Sequence, residues 1–430
     1  MSADQPEDQS HEIGGSGLTR RILVGMAAGL AVGLVVNLLA LTGELADFVV
    51  AGLLHVGGEI FLASLKLLVV PLVLVSLVCG TAALDDLSRL GRLGGRTLAL
   101  YLLTTAVAIS LAITAAVLIQ PGAGFDLPTD LAYEGRTAPP LSDTLIQLFP
   151  TNPIKALADG NMLQIIVFAV LLGLAMTMAG EPGKRALAIF EDFNAVIMRL
   201  VALLMRFAPY GVFCLIAKVF AQQGFEAFQP LLKYFFVVLG VLITHAVLVY
   251  PGLLTLFARL DPIRFFRKMR APQVVAFSTA SSGATIPVTL RTVERRLGVD
   301  NQVASFTIPL GATINMDGTA IMQGVATVFI AQAYGIDIGI GGYLTVVLAA
   351  TLASIGTAGV PGVGLIMLAM VLRQVNLPVE GIGLILGIDR LLDMVRTAVN
   401  ITGDAAVTCI VAKGEGQLDP EVFADPEAGA

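Results

Sequence analysis

The chain has 430 residues, 56% of them hydrophobic and only 13% charged, with a net charge of −6 and a mean hydropathy of +0.85. About a quarter of the residues of a soluble domain are charged. This balance therefore excludes a soluble enzyme, leaves no basic surface for nucleic acid, and fits a chain that crosses a lipid bilayer repeatedly.

The first 17 residues are polar and acidic, which argues against a cleaved signal peptide at the very start. Apolar runs follow, each near the ~20 residues that a span needs. The first covers about Ile22 to Leu41, the second about Val49 to Val78, and the third about Thr97 to Ile119. A polar loop, PGAGFDLPTDLAYEGRTAPPLSD, leads to FPTNPIKALADGN and a fourth run ending near Gly180. The fifth, about Ala186 to Val212, is amphipathic through Glu191, Asp192, Arg199 and Arg206, and the sixth covers about Tyr234 to Phe257.

Basic residues set the orientation. Arg20 and Arg21, then Arg89, Arg92 and Arg96, then Lys184 and Arg185, then Arg259, Arg264, Arg267, Lys268 and Arg270 all fall on one side of this alternation. The opposite loops hold few, such as Arg136, Lys155, Lys218 and Lys233. Positive charge collects in cytoplasmic loops, so the N-terminus is expected in the cytoplasm.

After Arg270 the simple alternation ends. STASSGATIPVTL (278–290) is small, hydroxyl-rich and broken by proline, and arginines return at Arg291, Arg295 and Arg296. A segment with basic residues at both ends dips in and comes back. Residues 345–375 repeat the pattern around ASIGTAGVPG, with one full span (about 302–333) between the two. The second hairpin must then enter from the opposite face. A final span runs from about Ile382 to Val411, with Lys413 cytoplasmic. Close helix packing would also use small residues. Two interrupted segments in matching positions read instead as an inverted repeat around a midplane site.

Two stretches carry the chemistry. ATINMDGTA (312–320) places Thr313, Asn315, Asp317 and Thr319 between apolar flanks, with Gly318 to loosen the backbone. In the last span, Asp389, Asp393, Arg396, Asn400 and Asp404 fall within a stripe about 80° wide at about 100° per residue. Polar groups at that depth face a polar interior and one another. A ladder of structural ion pairs would have the same pattern. The alternation of acid, base and amide suits a zwitterionic ligand with cations: Asp393 for an ammonium, Arg396 for a carboxylate, and Asp404 for a cation two turns on. The three cysteines, Cys79, Cys214 and Cys409, are too scattered for a disulfide or metal framework. His11 lies in the polar tail, and His55 and His245 read as isolated packing residues.

NMDGT, the serine-rich first tip, ASIGTAGVPG and DxxxDMxRTxxNxxGD, in that order, resemble the dicarboxylate/amino acid:cation symporters, the family of the glutamate and aspartate transporters. The likeness extends over essentially the whole chain, including FPTNP and APYGVF. It implies an all-α polytopic protein with eight transmembrane helices and two oppositely oriented re-entrant hairpins. It also implies a homotrimer in a cell membrane, with both termini cytoplasmic. Residues 1–18 would be a cytoplasmic tail, 19–96 scaffold spans, and 97–120 the third span, part of a moving transport domain. Residues 121–222 would be an extracellular loop and further scaffold spans, 223–414 the rest of the transport domain, and 415–430 a cytoplasmic tail.

The resemblance further implies a sodium-driven symporter of aspartate or glutamate, with proton coupling or a C4-dicarboxylate as the alternative. Ser281, Ser282 and the Ala280 carbonyl would hold the ligand's main-chain carboxylate. Thr319, Asp393, Arg396, Thr397 and Asn400 would make the other contacts, and Val360, Pro361, Gly362 and Gly364 would belong to the outer gate. One sodium site would use Gly311, Asn315, Asn400 and Asp404. A second would use Thr313, Ser354, Ile355 and Thr357, and a third Tyr101, Thr104, Thr105, Asn315 and Asp317. All of these donors are oxygens, as a hard cation prefers. One departure is visible: where many acid-selective members carry a second arginine, this chain has Ala280 and Met394.

Two other classes fit less well. An intramembrane aspartyl protease could use Asp317 and Asp404, but Arg396, Asn400 and both hairpins would then be unexplained. A channel would need a continuous pore, whereas paired hairpins around a ligand face favour alternating access.

Overall fold

The computed structural model describes residues 16–39, 47–82, 87–124, 149–355 and 362–429. Among them no strand forms; the only bridge is an isolated antiparallel pair, Val299 with Leu418. The helices are α1 (Ser16–Leu38), α2 (His55–Ala82, after a π-helical turn at Asp47–Leu54), α3 (Leu87–Ile119), α4 (Pro153–Asp159), α5 (Met162–Met178), α6 (Glu181–Met205) and α7 (Ala208–Gln223). They continue with α8 (Phe228–Thr244), α9 (Pro262–Lys268), α10 (Arg270–Thr279), α11 (Ser282–Arg295), α12 (Asn301–Ile314), α13 (Asp317–Ala333), α14 (Gly339–Ser354), α15 (Val363–Gln374), α16 (Ile382–Gly414) and α17 (Pro420–Ala424).

Among the described residues, three helical stretches can cross a membrane by length and hydropathy alone: Arg20–Leu38, Leu93–Ile119 and Gln229–Ala258. The fifth apolar run of the sequence is not one straight helix. It divides into α6 and α7, which meet at 49° and as a bent pair would make a fourth span. The second of these helices restarts at Ala208 with Pro209 in its first turn, where a missing N–H costs nothing. Two further expected spans escape a length-and-hydropathy test for physical reasons. The run at 302–333 is broken between α12 and α13, and α16 carries Asp389, Arg390, Asp393, Arg396 and Asp404.

α1 lies along α7. Glycines every fourth residue allow the approach: a Cβ at Gly29 would sit 2.7 Å from the Phe213 carbonyl oxygen, and one at Gly33 2.6 Å from that of Ala217. α2 packs on α5, α6 and α7.

The helices that carry the polar motifs assemble around α13 and α16. α13 is buried along nearly its whole length and packs on α3. α10 and α11 form a hairpin closed at Ala280 (φ 51°) and Ser281, whose hydroxyl accepts from the Ala284 amide at 3.2 Å. This hairpin packs on α16. α14 and α15 pack on each other and on α13. Val360, Pro361 and Thr357 lie outside the described residues.

The C-terminal segment is docked. Beside the Val299–Leu418 bridge, the Asp300 amide donates to Gln417 O at 2.9 Å and the Asp419 amide to Gly298 O at 2.7 Å. Lys268 Nζ donates to the carbonyls of Arg296 (2.6 Å), Val422 (2.8 Å) and Phe423 (3.0 Å). These bonds tie the base of the first hairpin to the end of the chain.

Candidate functional site

The NMDGT helix breaks where the sequence placed the polar residues. Asn315 (φ −94°, ψ 92°) and Met316 (φ −118°, ψ 48°) leave helical geometry between α12 and α13. A break inside a protein exposes carbonyls at one helix end and amides at the next. Here Asn400 Oδ1 accepts the Gly318 amide at 2.7 Å, so the last helix caps the restarted one. Asp317 sits in the first turn of α13, where the helix dipole favours a carboxylate.

Around this break a fully buried cluster forms. Asp317 Oδ1 accepts from Thr105 (2.7 Å) and Thr104 (3.2 Å) on α3. Its other oxygen accepts from Tyr250 (2.9 Å) and faces His245 Nε2 at 3.2 Å. Asn315 Nδ2 donates to Asp404 Oδ1 at 2.9 Å, and Thr104 Oγ1 lies 3.3 Å from Asn315 Oδ1. A Cβ at Gly311 would meet both Asp404 Oδ1 (2.6 Å) and the Tyr101 hydroxyl (2.7 Å), so those groups crowd its bare backbone. The structure thus brings Tyr101, Thr104, Thr105, Gly311, Asn315, Asp317, Asn400 and Asp404 together.

The chemistry of the donors suits a cation. The Thr104 hydroxyl has one proton but lies within reach of three oxygens: Tyr101 O at 3.0 Å, Asn315 Oδ1 at 3.3 Å and Asp317 Oδ1 at 3.2 Å. Among the described residues, Asp317 and Asp404 have no arginine or lysine partner. Buried carboxylates without an arginine or lysine are costly, and oxygen-rich, proton-poor surroundings are what a hard cation replaces water with. Thr313 and Ser354 spend their hydroxyls inside their own segments, on Leu310 O (2.9 Å) and Thr351 O (2.8 Å). Ser354 and Ile355 stand at the C-terminal end of α14, where carbonyls lack helical partners.

The other half of the polar stripe is ion-paired. Arg396, fully buried, places Nη2 3.1 Å from Asp389 Oδ2 and 2.9 Å from Asp393 Oδ1. Its Nη1 lies 3.0 Å from Asp389 Oδ1 but off the hydrogen-bond axis, and among the described residues Nε has no hydrogen-bond partner. This unspent donor capacity is directed where α15 begins: a Cβ at Gly364 would sit 3.5 Å from Arg396 Nη1 and 3.2 Å from Thr319 Cγ2. Thr397 turns its hydroxyl back to Asp393 O at 2.8 Å. Ser281 and Ser282, both buried, stand at the tip of the first hairpin. Gly362 adopts φ 85°, which only glycine takes freely.

Two residues differ from the sequence reading. His245 is not a packing residue: it is fully buried and holds Asp317. It stands five residues before Tyr250, a spacing that an α-helix splays apart. The π-helical stretch His245–Val249 brings the two rings together at 4.8 Å between centroids. Arg390 lies outside the 80° stripe yet is buried, with Nη1 3.4 Å from Asp393 Oδ2.

The model of the sodium:dicarboxylate symporter family matches residues 18–414. The chain is 36% identical over 414 residues to a proton/sodium-glutamate symport protein of Bacillus caldotenax, covering 94% of this chain and 96% of that one. It is equally identical to a proton/glutamate-aspartate symporter of Escherichia coli, over 94% of each chain. Excitatory amino acid transporter 3 of Mus musculus is 35% identical, over 83% of this chain and 78% of that one. The chain belongs to the sodium:dicarboxylate symporter family.

Proposed function

We propose that the protein carries an acidic amino acid, aspartate or glutamate, across the membrane on a sodium gradient. Family membership makes it a transporter, not an enzyme. The observation that carries the sodium reading is the Thr104 neighbourhood, where three oxygens compete for one hydroxyl proton beside two carboxylates that, among the described residues, have no arginine or lysine partner. A proton carrier needs one titratable group; it does not need neutral oxygens from Tyr101, Thr104, Thr105 and Asn315. Those oxygens can strip a sodium ion of water.

In this reading Arg396 takes the ligand's side-chain carboxylate, Asp393 its ammonium, and Ser281, Ser282 and the Ala280 carbonyl its main-chain carboxylate. Thr319, Thr397 and Asn400 complete the pocket, and the second hairpin, from Val360 and Pro361 through Gly362 to Gly364, closes it. Sodium occupies the Asp404 and Asp317 clusters, and a third site takes its oxygens from Thr313, Ser354, Ile355 and Thr357. Residues 97–120, which include most of α3, and the helices α8–α16 move as one transport domain against a scaffold of α1, α2 and α4–α7, in a homotrimer of the cell membrane with both termini cytoplasmic.

Proton coupling is the second reading. Both bacterial relatives carry the proton in their names, and the same two carboxylates would take it. Uptake of labelled aspartate, glutamate and succinate into proteoliposomes, under an imposed sodium gradient or an imposed pH gradient, separates the two. Sodium-driven accumulation supports the proposal. Accumulation driven by acid outside alone replaces sodium with a proton.

A further inference from the structure

Arg390 is left over from the machinery described so far. An arginine on a membrane helix without a task extends to the interface; this one is 8% exposed and reaches Asp393 instead. Asp393 thereby has a guanidinium on each oxygen: Arg396 Nη2 at 2.9 Å from Oδ1 and Arg390 Nη1 at 3.4 Å from Oδ2. Across Asp389, Arg390, Asp393 and Arg396 the charges cancel. With Arg396 alone the segment would carry a net negative charge, and Asp393 Oδ2 would be open to an incoming ammonium.

We infer that Arg390 is a specificity-determining residue of the ligand site: it counter-charges Asp393 and so shifts preference from ammonium-bearing ligands toward carboxylates. An ammonium that binds Asp393 must share Oδ2 with Arg390 or displace it. A second carboxylate on the ligand gains from the same positive charge. The inference rests on the acidic amino-acid reading and assigns that site its balance between amino acids and plain dicarboxylates.

Three ligands differ only in the groups that matter. Serine brings an ammonium and one carboxylate, aspartate an ammonium and two, and succinate two carboxylates and no ammonium. Removing the charge at Arg390 opens Asp393 and makes the site more negative. Serine gains, aspartate changes least because its two effects oppose, and succinate loses. One unit charge a few ångströms away at an intermediate dielectric corresponds to on the order of ten-fold or more in affinity.

The test is competition against labelled aspartate on the purified full-length protein in sodium, for wild type, Arg390→Gln and Arg390→Lys. The expected result is an aspartate-over-succinate ratio raised about ten-fold in Arg390→Gln, with serine binding strengthened. Arg390→Lys keeps the wild-type ratio. If Arg390→Gln does not fold, Arg390→Met removes the same charge and is read the same way. A uniform loss for all three ligands, or unchanged ratios, makes Arg390 a structural partner only and overturns the inference. A wild type that binds no aspartate in sodium overturns both this inference and the reading it rests on.

Discussion

Asn315 donates its side-chain amide to Asp404 Oδ1 at 2.9 Å while its carbonyl oxygen receives the Thr104 hydroxyl at 3.3 Å. One neutral side chain thus joins the Asp404 carboxylate on the last helix to the group that serves Asp317. The two acidic centres belong to one polar network, and whatever neutralises one is felt by the other.

In the proposed function, Arg396 is the group on which acid selectivity depends. It is buried against Asp389 and Asp393, and among the described residues its Nε has no hydrogen-bond partner. Truncating one partner of a buried, hydrogen-bonded charge pair costs about 2–5 kcal/mol. Arg396→Cys should weaken aspartate binding by on the order of 100-fold, about 3 kcal/mol, while serine or alanine binds as well as before or better. Unchanged aspartate affinity in competition assays would remove Arg396 from the ligand site.

His245 supplies one of four groups around Asp317, and losing a hydrogen bond to a buried charge costs about 1–3 kcal/mol. His245→Phe keeps a ring and removes that donor. In sodium-free buffer its melting temperature should fall below that of the wild type. Sodium, which brings a positive charge to the carboxylate that has lost a donor, should recover more of the loss than simple ligand stabilisation gives the wild type. An equal deficit with and without sodium would mean that the ring acts by packing alone.

Gly311 has no room for a side chain: a Cβ there would come within 2.6 Å of Asp404 Oδ1. Gly311→Ala must push the Asp404 carboxylate aside. Sodium affinity, read from the sodium dependence of aspartate binding, should drop about ten-fold, or about 1.4 kcal/mol. The same sodium titration in mutant and wild type would count against a cation at Asp404.

Much of this architecture is written in short patterns. The stripe from Asp389 to Asp404 is readable because one long α-helix keeps a fixed angle per residue, and the structure buries all five of its polar groups. The breaks at NMDGT and at Ser281 are readable because small and polar residues interrupt apolar runs. His245 was hidden for two reasons. Its partner Asp317 is 72 residues away, and the π-helical turn that aims it at Asp317 changes the periodicity on which sequence reading relies. Arg390 was hidden because a long side chain reaches back to the stripe from beyond its edge. The bend between α6 and α7 has a local sign, Pro209, that hydropathy ignores.

The central claim is that sodium, held at Asp317 and Asp404, supports acidic amino-acid binding. Linkage requires that if sodium raises aspartate affinity, aspartate raises sodium affinity by the same factor. The most direct measurement is aspartate binding to the purified protein across sodium concentrations at fixed pH and ionic strength, for wild type and Asp404→Asn. The account predicts a wild-type affinity that climbs steeply with sodium and a shallower climb in the folded mutant. An affinity flat in sodium that falls as pH rises would contradict it and make the coupling ion a proton.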